Sequence, residues 1–357
     1  MAELSDLPLR ANLVGKHPYG APQAAVPVSL NVNENTHPLP EAFIADASAA
    51  LAEVLRGVNR YPDREFLELR ESLAEYLGAG LTPEQVWAAN GSNEVLQQML
   101  QAFGGPGRTL LSFTPTYSMY PLLADGTDTG WIGVPRNDDY TVTPELVVSA
   151  LQEHKPDIVI LCNPNNPTGT TLSTETILAA YDAFDGMLIV DEAYHEFNAG
   201  AESAVNLLPG RHRLVVSRTM SKAFAFAGVR LGYLAGDSAV IDALRLVRLP
   251  YHLSALTQAA ATAAVRHSGA MLATVNEIRE QRDRLGAELT KLGYQVHESG
   301  GNFLLVGGFP DPDAVFEALR ERGILVRNLG IEGHLRITAG TEAETTAVIE
   351  GIAVLTA

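Results

Sequence analysis

The chain has 357 residues, 46% hydrophobic and 19% charged, and its 42 acidic against 25 basic side chains leave a formal charge of −17. That balance excludes a nucleic-acid surface, which needs clustered Lys and Arg, and leaves any anionic ligand to a few converging arginines. Cys162 is the sole cysteine, so no internal disulfide forms and a reducing, cytoplasmic setting is expected; no apolar run is long enough for a membrane span, and the N-terminal residues lack the basic lead and apolar core of a secretory signal.

Pro18, Pro22 and Pro27 punctuate residues 1–30 and predict an extended arm. Helical patterns follow over 41–57 and 64–77. Short apolar runs then alternate with helical stretches such as 145–153 and 174–184. The predicted strands are 86–89, 108–113, 158–162, 187–191, 214–217 and 231–235. Each is nearly all apolar, as in a sheet covered on both faces, so the pattern predicts an α/β fold with a largely parallel sheet. From about 255 the texture changes. Two long helical stretches run to 292, and a smaller β/α set follows: YQVHE, NFLLV, a helix over 312–322, ILVR, LRIT and a last helix. The expected organisation is an arm over 1–30 packing with the small unit, a large domain over 31–260 and a small C-terminal domain over 261–357.

Open α/β sheets bind ligands at the carboxyl ends of their strands. The polar segments here fall at such ends. ANGSNE follows the strand at 86–89, CNPNNPTG begins at the end of 158–162, DEAY closes 187–191, and SRTMSK follows 214–217. One crevice is expected to collect all four. Ser92 opens a helix, where free backbone N–H groups favour an anion, although an ordinary N-cap uses the same residue type. Asn166 precedes Pro167, which disfavours helical backbone and aims the amide outward; a plain turn is the competing reading. Asp191 ends an apolar strand and needs a partner, and Tyr194 follows three residues later. Glu192 and Glu196 read as solvated or structural. Lys222 sits among Ala, Phe, Gly and Val with Arg218 and Arg230 in sequence reach. Burial and nearby cations favour the neutral, nucleophilic amine. The nine histidines show no H-E-x-x-H and no paired spacing, so no metal centre is expected. GAGLTP at 78–83 lacks a third glycine and follows no strand, which argues against a dinucleotide fingerprint.

SKAFAFAGVRLGY, NPNNPTG and DEAY, in this order, resemble the fold-type I pyridoxal-phosphate aminotransferases. LNVNEN, RYPD, AANGSNE, PTYSMY, RTMSKAF, PYHLS and LRITAG bring the resemblance close to the histidinol-phosphate aminotransferase family, over nearly the whole chain. The resemblance implies pyridoxal 5'-phosphate carried covalently by Lys222, which also moves the proton between substrate Cα and cofactor C4′. It implies Asp191 on the pyridine nitrogen, Asn166 and Tyr194 on the ring oxygen, and Tyr117 stacked on the ring. Ser92, Asn93, Thr219, Ser221 and Arg230 would surround the phosphate, joined by Tyr61 from the partner of a homodimer. Arg327 and Arg336 would face the substrate anion, with Tyr19, Asn33 and Tyr251 nearby. The implied substrates are L-histidinol phosphate and 2-oxoglutarate, which leaves as glutamate. An aromatic amino acid aminotransferase and a phosphothreonine-type decarboxylase would use the same motifs, differing only in side pockets. A regulator with an aminotransferase-like domain would need a basic DNA-binding segment, and the chain has none.

Overall fold

A computed structural model describes residues 6–16, 20 and 22–356; Tyr19 and Pro18 of the arm lie outside them. The strands are β1 (Val28–Ser29), β2 (Val86–Ala89), β3 (Thr109–Thr114), β4 (Gly130–Pro135), β5 (Ile158–Cys162), β6 (Met187–Asp191), β7 (Leu214–Thr219), β8 (Gly232–Ala235), β9 (Gln295–Val296), β10 (Phe303–Gly307), β11 (Ile324–Leu325) and β12 (His334–Thr338). The helices are α1 (Glu41–Arg56), α2 (Leu67–Leu77), α3 (Ser92–Phe103), α4 (Met119–Gly126), α5 (Pro144–His154), α6 (Thr174–Asp182), α7 (Ser238–Val247), α8 (Ala255–Arg266), α9 (Ser268–Met271), α10 (Val275–Lys291), α11 (Pro312–Glu321) and α12 (Glu342–Thr356).

Seven strands form one sheet in the order β2-β8-β7-β6-β5-β3-β4. The ladders β4–β3–β5–β6–β7 are parallel, and β8 runs antiparallel to both β7 and β2. The helices α4, α5 and α6 carry the crossovers from β3 to β6, while β6 reaches β7 through two short 3-10 turns, His195–Phe197 and Ala204–Leu207. The antiparallel β8 is reached from β7 by a direct loop, residues 220–231, and this loop carries Lys222 and Arg230. Every residue of β2, β5, β6, β7 and β8 is buried, because an apolar core lies on each face of the sheet. The strand β4 was not anticipated. Two glycines and a proline weaken its β signal, and as an edge strand it is mostly exposed.

A second sheet, β12-β10-β9, is antiparallel with its own core. The ILVR run supplies β11, which pairs in parallel with β1 of the arm rather than joining that sheet. Leu30 follows β1 into the same small core. The core of the large sheet runs on through Val265 to Met271, because α8 packs on α1 and α2. Tyr194, Ala223, Ile278 and Phe303 form a short apolar seam between the two sheets.

Beneath the C-terminal end of the large sheet lies a buried ion cluster. Arg218 of β7 donates through Nε and Nη2 to Glu192 at 3.0 and 2.8 Å, and its Nη1 lies 3.5 Å from Glu196. Ser203 and the Ala204 N–H also donate to Glu192, at 2.7 and 2.6 Å. Both glutamates are therefore structural, not solvated. Arg218 is spent here, so it does not neighbour Lys222 as the sequence spacing suggested. Removing one partner of a buried pair strands the other charge. Arg218→Met should therefore lower the unfolding free energy by about 3–5 kcal/mol in urea denaturation; a loss under about 1 kcal/mol would contradict this account.

Candidate active site

The carboxyl ends of β2, β5, β6 and β7 open into one cavity of about 550 Å³. Its lining includes Ser92, Asn93, Tyr117, Asn166, Asp191, Tyr194, Thr219, Ser221, Lys222, Arg230, Arg327 and Arg336. The four polar segments thus meet because parallel strands end at the same edge.

At the floor, Asp191 is 2% exposed. Tyr120 Oη donates to its Oδ2 at 2.7 Å and Ser217 Oγ to its Oδ1 at 3.0 Å. Burial holds the carboxyl above its ordinary range, and these hydroxyl donors offset only part of that rise. After β6 the chain makes a tight helical turn over His195–Phe197, which returns Tyr194 to the cavity. The Tyr194 oxygen accepts from Asn33 Nδ2 at 2.9 Å and from Asn166 Nδ2 at 3.3 Å, leaving the phenol proton for a third partner. The Asn166–Pro167 peptide bond is cis.

Lys222 is half-buried and donates from Nζ to the Val32 carbonyl at 2.7 Å. Desolvation first, then the charges of Arg336 and Arg230 against the opposing Glu34, bring its pKa down to about 8. Arg230 replaces Arg218 as the neighbouring cation from this loop. It sits in the left-handed region at φ 62°, a conformation that costs a non-glycine residue of order 1–3 kcal/mol. Arg230 Nη1 donates to Ser221 Oγ at 3.3 Å. The guanidinium passes over Gly91, where a Cβ would lie 2.5 Å from Nη2, and a Cβ on Gly232 would collide with the Ser92 backbone nitrogen. Two absent side chains therefore keep the start of α3 open. There, Asn93 Oδ1 is buried with no hydrogen-bond partner among the described residues.

The small sheet supplies the roof. Arg336 of β12 donates from Nη1 to Asn166 Oδ1 and from Nη2 to the Asn31 carbonyl, both at 2.6 Å. Arg327 pairs with it through the backbone, N to O at 3.0 and 2.9 Å. Asn33 lies behind the wall, tied to Tyr194 and accepting from Thr338 Oγ1 at 2.9 Å. Tyr61 and Tyr251 do not line the cavity of this chain. They stack on each other at 4.4 Å, and Tyr61 is 80% exposed.

Tyr120, Ser217, the Val32 carbonyl and Gln23 are site members that sequence reasoning passed over. Tyr120 sits inside PTYSMY and was legible as a motif member. Ser217 becomes a partner of Asp191 only through the pairing of β6 with β7. Among the described residues no group of three or more His, Cys, Asp or Glu is placed to hold a metal, and no helix is long and apolar enough to cross a membrane.

Residues 26–352 match the family model for aminotransferase class I and II. A histidinol-phosphate aminotransferase of Paenarthrobacter aurescens is 56% identical over 99% of this chain and 96% of that protein. The corresponding Mycolicibacterium smegmatis protein is 52% identical over 97% and 93%.

The chain belongs to the class I and II aminotransferases.

Its high-identity relatives place it among the histidinol-phosphate members of that family. The histidinol-phosphate aminotransferase of Sinorhizobium meliloti, solved in complex with pyridoxal-5'-phosphate, shares the fold at a TM-score of 0.83 and 22% identity, over 93% of this chain and 91% of that one. A Thermus thermophilus aspartate aminotransferase variant aligns at 0.82 and 27% identity, over 97% and 99%. For this aminotransferase, acylation of Lys222 in cofactor-free protein should reach half its maximum near pH 8, against about 10.4 for an exposed lysine. Arg336→Met should move the midpoint upward, and peptide mass spectrometry reads both. A midpoint near the exposed value overturns the assignment.

Proposed function

We propose that the chain transfers the amino group of L-histidinol phosphate to 2-oxoglutarate, giving imidazole acetol phosphate and glutamate, with pyridoxal 5'-phosphate in the cavity. One observation carries the reading: a half-buried amine, Lys222, and a buried carboxyl, Asp191, face one cavity beneath two arginines, in a chain 56% identical to a relative of that name. The cavity fits the cofactor. The open start of α3, with its free backbone N–H groups, and the Arg230 guanidinium suit a phosphate group.

When bound, the cofactor supplies an electron sink for the pair released at substrate Cα. Asp191 would hold the pyridine nitrogen, Asn166 and Tyr194 the ring oxygen, and Tyr117 the ring face. Ser92, Asn93, Thr219, Ser221 and Arg230 would hold the phosphate. The Lys222 amine, which loses its charge as pH rises through about 8, would bear the covalent attachment and take the proton from Cα. Arg336 and Arg327 would receive the phosphate of one substrate and a carboxylate of the other. Arg336 would exchange its bonds to Asn166 and Asn31 for those to the anion, drawing the small sheet and the arm onto the ligand. Asn33, which donates to Tyr194 from behind the wall, would steady that phenol.

We place the division between the large and small units after Met271, later than about 260, since Met271 belongs to the core of the large sheet. The exposed Tyr61–Tyr251 stack adjoins exposed Val58, Leu246 and Leu249 in sequence. We read this face as that of a homodimer, with Tyr61 reaching the partner's cofactor phosphate and Tyr251 the partner's substrate. A cytoplasmic location accords with a free cysteine and small soluble substrates.

With 2-oxoglutarate as acceptor, kcat/KM for histidinol phosphate should exceed that for phenylalanine by at least about tenfold, the order of one lost charged contact. A preference for phenylalanine would favour the aromatic reading. Lys222→Ala should abolish turnover while the cofactor still binds, and Arg336→Ala should impair both half-reactions in single-turnover measurements. Impairment of only one would overturn the shared use of Arg336.

A further inference from the structure

We propose that Tyr120 and Ser217 are positioning residues that hold Asp191 as an anion aimed into the cavity. The proposal rests on the cofactor reading above and adds how this chain keeps that buried acid charged. Asp191 and Ser217 are register partners across β6 and β7, so their side chains leave the sheet on the same face. Tyr120 stands in the first turn of α4 and is 0% exposed. Its ring meets Tyr117 edge-on at 5.5 Å. The two hydroxyls reach different oxygens of one carboxyl, Oδ2 and Oδ1. Neither oxygen can swing away without breaking a bond, and the Ala193 backbone adds a further hydrogen bond to the carboxylate.

The chemistry is specific to the anion. A carboxyl buried at this depth takes a proton at neutral pH unless donors compensate the lost water. Both hydroxyls donate to the carboxylate. Burial and the adjacent Asp191 charge raise the Tyr120 phenol far above its ordinary value, so it remains protonated and available as a donor. Removing its hydroxyl leaves the ring in the core but strips Oδ2 of that donor. Asp191 then becomes easier to protonate, and a neutral acid holds a cationic ring nitrogen poorly.

The test uses Tyr120→Phe and Ser217→Ala, read in two ways. In cofactor-free full-length protein, infrared titration of the protonated-carboxyl band, assigned by its loss in Asp191→Asn, gives the Asp191 midpoint. Each variant should raise it, Tyr120→Phe by about one pH unit, a tenfold change in proton affinity. In loaded protein, the pH titration of cofactor absorbance should shift in the same variants. Their kcat should fall about tenfold or more, while KM for histidinol phosphate stays within about twofold. An unchanged infrared midpoint in both variants overturns the proposal; should Tyr120→Phe fail to fold, Ser217→Ala decides it alone. If wild-type protein takes up no pyridoxal phosphate, the functional reading falls, and the infrared titration still decides whether the hydroxyls hold Asp191 as an anion.

Discussion

A carboxyl placed at the end of a central, fully buried strand is the constraint around which this molecule is arranged. Asp191 has lost its water, and an isolated buried charge is costly. The fold returns part of that solvation through Tyr120 from one covering helix and Ser217 from the neighbouring strand. Its remaining valence faces the cavity. Under the proposed function, that is where the positive charge of the ring nitrogen would be held. The strand at the middle of the sheet thus carries both the rigidity and the charge.

Alternation along β6 and β7 sorts the charges. Asp191 and Ser217 leave the sheet on the face of the cavity, while Glu192 and Arg218, one residue further on, leave on the opposite face. There Arg218 ties Glu192 and Glu196 into a dry cluster. One face of the same two strands closes the floor of the cavity and the other holds the strand ends together. This division removes Arg218 from the neighbourhood of Lys222 and leaves Arg230 and Arg336 to act on the amine.

Arg336 joins the two sheets energetically. Its guanidinium spans the Asn166 loop of the large sheet and the Asn31 carbonyl of the arm, and the backbone beside it is bridged to Arg327. Under the proposed function, an anion entering the cavity would compete for the same guanidinium and so couple binding to the packing of the arm and the small sheet, which meet the large sheet through an apolar seam.

Much of the fold was legible in the residues themselves. Apolar runs marked the central strands because those strands are buried on both faces, and Ser92, Asn166, Asp191 and Lys222 were legible because each follows or ends such a run. Their motifs carried the family, with its lysine and aspartate. The sequence did not reveal β4, whose glycines and proline hide an exposed edge strand, nor the antiparallel turn of β8, which depends on the route of the connecting loop. The partners of Asp191 and the separation of Arg218 from Lys222 depend on strand register, since a shift of one residue exchanges the two faces. Local sequence determines which residues are apolar, extended or nucleophilic. Only tertiary pairing decides which face each charge occupies, because register is set by contacts between segments far apart in the chain.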